Sequence, residues 1–192
     1  MTLGDLGTFT RGSGLQKKDF SPVGVGCIHY GQIYTYYGIC ADKTKSFVSD
    51  AFAQKARKAQ KGDLIIATTS ENDEDVCKAV AWLGDDEIVI GSDACYYTHK
   101  INPKYVAYYF HTEMFQKQKR SFITGTKVRR VNANDLAKIK IPIPPLSEQE
   151  RVVSILDKFE TLTTSISEGL PKEIELRRKQ YEYYRNELLS FK

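Results

Sequence analysis

Apolar and polar positions follow two different rhythms along this chain, and the change falls near residue 145. Short apolar runs bounded by turn residues, the spacing typical of β-strands, stand at 64–67, 78–83, 87–90 and 94–98. Beyond the change, apolar residues recur in steps of three and four, which is typical of an amphipathic helix. The pattern therefore predicts a mixed globular domain over 1–145 followed by a helical region over 146–192.

Individual runs predict particular strands and turns. Residues 61–63 read Lys-Gly-Asp, which predicts a turn leading into a buried strand at 64–67. Gly-Asp-Asp at 84–86 predicts a hairpin turn between the runs on either side. Residues 27–39 are rich in aromatic and β-branched side chains, so they predict strand, turn, strand. Residues 3–10 can start a further strand.

One helix is predicted inside the globular domain. Asn102 stands as an N-cap and Pro103 at the first helical position, so the helix should run to about Gln118. Short strands mixed with a helix, without a repeating strand–helix–strand order, favour an α+β fold class with a mixed sheet over a doubly wound parallel sheet.

The junction between the two regions has its own signature. Prolines at 142, 144 and 145 exclude a helix interior or a central strand there. Ser147 stands where an N-cap is expected, and Glu150 follows three residues later as in a capping box. The sequence therefore predicts a stiff extended arm that turns abruptly into a long helix.

The helical region carries a coiled-coil-like seam. Gly169 and Pro171 interrupt it, and since a proline costs roughly 3 kcal/mol inside a helix, a second helix is expected from about Pro171. A seam this short needs a partner, either the preceding domain or another such helical region. The candidate dimerisation residues are Val152, Ile155, Phe159, Leu162, Ile166, Ile174, Tyr181, Tyr184 and Leu188.

Charge is unevenly distributed, although the formal net charge is only +4. Residues 100–130 carry eight Lys or Arg against the single acid Glu113. A local excess of this kind is expected of a phosphate-binding surface, and a solvated basic helix is the alternative explanation.

The sequence argues against an enzyme, a metalloprotein and a membrane protein. The three histidines are isolated, and no Walker motif, methyl-donor site or nucleophile elbow is found. The four cysteines form no Cys-x-x-Cys pair, so they are expected to be buried thiols in a reducing cytoplasm. The acidic cluster at 71–75 fans out from one turn, so neither a metal nor a cofactor is expected. No apolar run approaches the roughly 20 residues of a membrane span.

Several segments resemble a known family. The run Ile-Pro-Ile-Pro-Pro-Leu-Ser-Glu-Gln-Glu-Arg at 141–151, with its continuation to Phe159, resembles the conserved region of Type I restriction-modification specificity subunits, as do 169–174 and 181–185. The pieces that resemble the target recognition domain of that family stand at 3–7, 61–68 and 125–126. The resemblance covers essentially the whole chain.

The resemblance implies a non-catalytic subunit that reads one block of a bipartite target in double-stranded DNA. Partner subunits for methylation (M) and restriction (R) would carry the chemistry, and antiparallel pairing of the helical regions would give a homodimer. Family members commonly contain two recognition domains, so the chain is expected to be either a natural half-length subunit or a fragment of a longer one. A protein-interaction adaptor and a free-standing methyltransferase or nuclease are the other functional hypotheses.

Two groups of residues are the candidates for DNA contact under this reading. Basic side chains expected to anchor the phosphate backbone without regard to sequence are Arg11, Lys17, Lys18, Lys119, Arg120, Lys127, Arg129 and Arg130. Loop side chains expected to lie at the DNA, with those near 30–32 and 70–72 reading bases, are Ser13, Tyr30, Gln32, Thr35, Ser70, Glu71 and Asn72.

Overall fold

A computed structural model describes residues 1–164 and 170–189. The α-helices there are α1 (Leu3–Leu6), α2 (Tyr30–Thr35), α3 (Asp50–Ala53), α4 (Pro103–Phe110), α5 (Glu113–Arg120), α6 (Ala133–Leu136), α7 (Leu146–Thr164) and α8 (Leu170–Leu189). The β-strands are β1 (Gly7–Arg11), β2 (Phe20–Ser21), β3 (Val25–Ile28), β4 (Cys40–Ala41), β5 (Ser46–Val48), β6 (Lys58–Ala59), β7 (Leu64–Ala67), β8 (Thr69–Ser70), β9 (Ala79–Trp82), β10 (Ile88–Ile90), β11 (Ala94–His99) and β12 (Arg129–Arg130). A 3-10 helix covers Lys17–Asp19.

The strands form mixed sheets. One sheet has the order β1-β11-β7-β9-β4, a second has the order β2-β5-β3-β10-β6, and β12 pairs with β8 alone. The β4–β9 and β10–β3 pairs are parallel and the other pairs are antiparallel. The predicted class, mixed sheets with C-terminal helices, is confirmed.

Strand β7 lies between two hydrophobic clusters. All four of its residues are buried, as predicted for 64–67. Because successive side chains of a strand point to opposite faces, Leu64 and Ile66 pack in one cluster while Ile65 and Ala67 pack in the other. One central strand therefore organises most of the core.

The predicted helix over 102–118 is two helices. Asn102 is the N-cap, as predicted, and its Oδ1 accepts from the backbone amides of the second and third helical residues at 3.0 and 3.2 Å. The helix ends after Phe110, and Thr112 caps α5 by accepting from the Phe115 amide at 3.3 Å. The break lets Phe110 and Phe115 stack with their ring centroids 4.1 Å apart.

Two strand predictions were right only in part. Residues 7–11 form β1 and residues 25–28 form β3, but local capping stabilises helices at 3–6 and 30–35. Residues 30–35 form α2, since His29 Nδ1 accepts from the Gly31 amide at 3.2 Å and Gln32 Oε1 accepts from the His29 amide at 3.0 Å. The first turn of the chain, α1, is likewise closed by a capping box between Thr2 and Asp5. These side-chain caps compete with strand propensity.

The predicted hairpin at 78–90 was also wrong. Its two strands exist, but β9 pairs with β7 and β4 whereas β10 pairs with β3 and β6. Trp82 Nε1 donates to the Asp86 carbonyl at 2.9 Å across the turn. The turn chemistry is correct, but the chain passes from one sheet to the other.

The proline arm leads into α7 two residues earlier than predicted. The amides of Glu148 and Gln149 donate to the Pro145 carbonyl at 2.9 and 3.1 Å, and the helix begins at Leu146. Ser147 therefore lies inside the first turn, and its prediction as N-cap of a capping box was wrong. The fixed φ of proline suits the residue that precedes a helix start.

The extended arm itself is fastened to α4. The Tyr105 hydroxyl donates to the Pro142 carbonyl at 3.0 Å, and the Tyr109 hydroxyl donates to the Lys140 carbonyl at 2.6 Å. These bonds satisfy arm carbonyls that accept no backbone amide, and an isolated antiparallel bridge between Thr2 and Lys140 holds the start of the arm as well.

The chain divides into two compact units, with the boundary between Gln149 and Glu150. The functional division at residues 145 and 146 stays a prediction. In the second unit α8 starts at Leu170, within one residue of the expected position. Val152 is half-buried, and the exposed members of the predicted seam are Ile155, Phe159, Leu162, Ile174, Tyr181 and Tyr184. Ile166 and the Leu188 side chain lie outside what the structure describes.

No helix in the described ranges is both long enough and apolar enough to cross a lipid bilayer.

Candidate nucleic-acid interface

Two cavities share the residue Thr69 of β8. The first, here called the arginine cavity, has a volume of about 320 Å³ and is lined by Arg11, Thr68, Thr69, Thr124, Arg130 and Asn132, among others. The second, here called the tyrosine cavity, has a volume of about 390 Å³ and includes Tyr30, Tyr34, Thr35, Ser70, Glu71 and Asn72. Seven of the residues predicted for DNA contact thus line two adjoining cavities.

The arginine cavity carries cationic groups with free donors. Arg11 Nε donates to the Ser92 carbonyl at 2.9 Å, and its terminal nitrogens make no hydrogen bond within the described residues. The Arg130 backbone pairs with Thr124 in both directions at 2.9 Å, and the exposed Arg130 side chain makes no hydrogen bond or ion pair within the described residues. A planar guanidinium with free N–H groups is suited to phosphate oxygens.

Arg57 supports this cavity and was missed by the sequence reasoning. Its Nη1 donates to the Arg11 carbonyl at 2.9 Å, and its amide donates to Ser13 Oγ at 2.7 Å. Ser13, a predicted DNA contact, therefore already accepts a bond that fixes its own loop. No short-range pattern in the sequence joins Arg57 to residues more than 40 positions away.

The tyrosine cavity has an aromatic wall and a polar edge. Tyr34 donates to the Thr69 carbonyl at 2.7 Å, and burial raises the pKa of its hydroxyl. Tyr30 packs against it edge to face, with the ring centroids 6.4 Å apart. Thr35 Oγ1 donates to the Gly31 carbonyl at 3.0 Å, so the hydroxyl oxygen still offers an acceptor.

The polar edge is the start of an acidic loop, defined here as residues 71–77. Asn72 Nδ2 donates to Asp75 Oδ2 and Asn72 Oδ1 accepts from the Asp75 amide, both at 2.7 Å. The Asn72 amide donates to Ser70 Oγ at 3.4 Å. Glu71 is exposed and makes no hydrogen bond or ion pair within the described part of the chain. Its carboxylate is therefore an available acceptor.

Gln32 lies apart from the other predicted base readers. Its Nε2 donates to Ser46 Oγ at 2.6 Å, and its Oε1 closes the cap of α2. Both ends of the amide are thus used within the fold.

Lys119 was predicted to belong to the basic surface patch, and the structure contradicts that prediction. Its side chain is completely buried, and its ammonium donates to the carbonyls of Glu74 at 2.9 Å and Val76 at 2.8 Å. Burial lowers the pKa of Lys119, and the nearby acidic side chains oppose that shift. Lys119 therefore cannot belong to an exposed DNA-contact surface. Its position four residues after buried Phe115 on α5 was the available signal.

The remaining cations predicted to contact DNA differ in whether their side chains are already paired within the fold. Arg129 Nε pairs with Asp73 Oδ1 at 2.8 Å, and its Nη1 donates to the Gly125 carbonyl at 2.6 Å. Those that stay exposed and form no ion pair with another described residue are Lys17, Lys18, Arg120 and Lys127.

Nothing in these cavities suggests covalent chemistry. Among the residues that the structure covers, no three His, Cys, Asp or Glu side chains are placed to hold a metal ion. None of the four cysteines forms a disulfide, and burial raises the pKa of Cys27 and Cys77 to about 12. A thiol with so high a pKa is a poor nucleophile.

Comparison with known proteins identifies the family. The family model of the type I restriction modification DNA specificity domain matches residues 1–176. The chain belongs to this specificity-domain family. The resemblance stated from the sequence is therefore confirmed, and the family name denotes the DNA-recognition component of restriction-modification systems.

Curated relatives agree with this assignment. A protein named as a type I restriction enzyme specificity subunit of Haemophilus influenzae is 35% identical over 168 residues, which cover 80% of this chain and 40% of that protein. The Type I restriction enzyme EcoR124I/EcoR124II specificity subunit of Escherichia coli is 60% identical over 68 residues, or 35% of this chain and 17% of that subunit.

A solved structure shares the fold. The crystal structure of the Type-I restriction-modification system S subunit from M. genitalium matches with a TM-score of 0.57 and 17% identity, covering 99% of this chain and 45% of that one. The chain thus spans less than half the length of these relatives.

Proposed function

We propose that this chain is the sequence-specific DNA-binding subunit of a type I restriction-modification system and reads one block of a bipartite target. The observation that carries the proposal is the pair of adjoining cavities, one with free arginine donors and one with uncommitted acceptors, in a member of the specificity-domain family. Phosphate contacts position a protein on DNA, whereas base-edge contacts supply specificity.

The arginine cavity is the proposed phosphate-anchoring site. Arg11 and Arg130 would contact the backbone there, and the exposed cations Lys17, Lys18, Arg120 and Lys127 would extend the contact. Each neutralised phosphate releases counterions, so this binding should weaken steeply as salt rises.

The tyrosine cavity is the proposed base-reading site. Its acceptors match donors on base edges, since a glutamate accepts from the amino group of cytosine and an asparagine pairs with adenine. Glu71 is the strongest candidate, because Asn72 already bonds within the loop. Tyr30 and Thr35 offer further hydroxyl contacts at the same cavity.

The chain has no catalytic role in this proposal. Methylation and restriction subunits that assemble with it would carry out the chemistry in the cytoplasm. The isolated histidines and high-pKa thiols support this division of labour.

A homodimer through α7 and α8 completes the proposal. Ile155, Leu162 and Ile174 are 39%, 51% and 52% exposed, and apolar side chains repeated at helical spacing favour pairing with another helix. Two copies related by a two-fold axis would read an inverted repeat.

Salt-dependent binding of duplex DNA tests the proposal. Wild-type protein should bind a labelled duplex at low salt, with log affinity falling linearly against log salt, and Arg11→Ala with Arg130→Ala should reduce both affinity and slope. Lys61→Ala with Lys138→Ala is the matched control, because both lysines are exposed, ion-paired and outside the two cavities.

Equal losses in the two double variants would remove the arginine cavity from the interface. Absence of binding by the wild-type protein, even with its methylation subunit supplied, would favour the protein-interaction adaptor instead.

A further inference from the structure

Lys119 is a cation that the fold removes from solvent although its neighbour Arg120 is exposed. A buried ammonium loses its hydration and must be satisfied by acceptors from the protein. Its acceptors are the backbone carbonyls of Glu74 and Val76, at 2.9 and 2.8 Å, and both belong to the acidic loop. Lys119 therefore fastens α5 to that loop.

The backbone conformation at the C-terminal end of the acidic loop has to be held by the surrounding structure. Cys77 is buried and has φ of 71°, in the left-handed region that non-glycine residues rarely adopt. A residue in that region persists when its surroundings hold it there. The Cys77 amide donates to the Ala67 carbonyl at 2.8 Å, and Lys119 holds the residue just before it.

The other attachments of the loop are weaker. The Arg129–Asp73 pair is 34% and 48% exposed, and exposed ion pairs contribute little and are screened by salt. The Asn72–Asp75 bonds join two residues of the loop and tie it to nothing else. The side chains of Val76 and Cys77 anchor the end of the loop by apolar packing, and the buried lysine is the main polar side-chain attachment that the described residues provide.

We propose that Lys119 is a positioning residue for base reading, which holds the acidic loop so that Glu71 and Asn72 face the tyrosine cavity. The inference rests on the proposed function of that cavity and assigns no DNA contact to Lys119 itself. Lys119 was predicted from the sequence to contribute affinity through a phosphate contact, whereas the inference assigns it a contribution to sequence specificity.

Lys119→Met tests the inference, because methionine fills similar space without donors. The probes are a duplex carrying the motif that wild-type protein selects from a randomised library and a scrambled duplex of equal length. We expect the preference for the motif to fall about tenfold, the scale of losing one base contact. Affinity for the scrambled duplex at low salt should stay near the wild-type value, since no phosphate contact is lost. Amide hydrogen exchange in 71–77 should accelerate.

Val48→Ala is the matched control, since it truncates a buried side chain in a different hydrophobic cluster from the loop residues Val76 and Cys77. It should lower stability and leave motif preference unchanged. Lys119→Gln, which keeps N–H donors on a shorter chain, gives a milder second variant should the methionine protein not fold.

A lysine variant with wild-type motif preference, or with wild-type exchange in 71–77, would overturn the inference. Failure of the wild-type protein to select any motif would instead count against the proposed function, so the two failures are distinguishable.

Discussion

The two compact units keep their apolar side chains in different places. In the first, β7 is buried on both faces, and large side chains such as Phe115 and Trp82 are almost inaccessible to solvent. In the second, Ile155, Leu162 and Ile174 remain 39–52% exposed. The first unit carries its own core, whereas the second offers apolar surface that association can bury.

This difference teaches that stability and assembly depend on separate parts of the chain. A substitution in the first unit should act on the free energy of unfolding. A substitution in the helices should act on the dissociation constant of the proposed homodimer, and so on stability only through protein concentration.

The largest difference in the free energy of unfolding is expected between alanine substitutions at two phenylalanines, Phe115 and Phe159. Phe115→Ala should reduce the free energy of unfolding by about 3–5 kcal/mol, because it leaves a cavity beneath α5. Phe159→Ala, at a side chain that is 61% exposed, should change the unfolding of the first unit little. Urea denaturation at fixed protein concentration measures both, and comparable losses would refute the separation.

The next contrast concerns pH, because the only histidines lie in the first unit. Burial lowers the pKa of His99 to about 4, and its Nε2 has no hydrogen-bond partner among the described residues. The folded state therefore binds fewer protons than the unfolded state. The contribution of His99 to the free energy of unfolding is complete above pH 6.5 and is lost as the pH falls towards 4. Between pH 7 and pH 5 the loss should be about 2 kcal/mol.

His99→Gln isolates that contribution. Urea denaturation at both pH values should show a smaller acid-induced loss in the variant than in the wild-type protein. An identical difference between pH 7 and pH 5 in the two proteins would show that His99 is not the group responsible.

Charge placed on the helical seam should affect association instead. Ile155→Asp with Leu162→Asp should weaken the proposed homodimer about tenfold or more, because carboxylates would be buried at the contact. Ser154→Asp with Thr161→Asp adds the same charge one position away and is the control. Sedimentation or light scattering over a range of concentrations measures the constant, and a strictly monomeric wild-type protein would contradict the homodimer.

The smallest effect is expected at an exposed ion pair of the first unit. Lys61 and Asp85 approach to 2.6 Å, but their side chains are 59% and 89% exposed. Lys61→Ala should leave the unfolding curve unchanged within error, since solvent screens such pairs. A clear loss would show that surface charge contributes more to this unit than its burial pattern indicates.

The sequence predicted the elements whose signals are local and strong. The apolar run 64–67 became a buried strand, Asn102 caps its helix, and the second long helix starts beside Pro171. Each of these follows from residue types within a few positions, which is the range over which propensity and capping act.

The rest depended on contacts that no local pattern contains. The strands at 79–82 and 88–90 joined different sheets, and Lys119 found its acceptors more than 40 residues away. A lysine at the surface and a buried lysine look alike in a charge count. For the candidate site, the residue types were informative, but the grouping of Tyr30 with Glu71 needed the fold.

The most direct test of the account is selection of bound sequences from a randomised duplex library by wild-type protein and by a variant with Ser70→Ala, Glu71→Ala and Asn72→Ala. The account predicts that the wild-type protein enriches a defined motif, whereas the variant still binds duplex through its arginines but enriches none. Recovery of the same motif by both proteins would show that the tyrosine cavity does not read the bases.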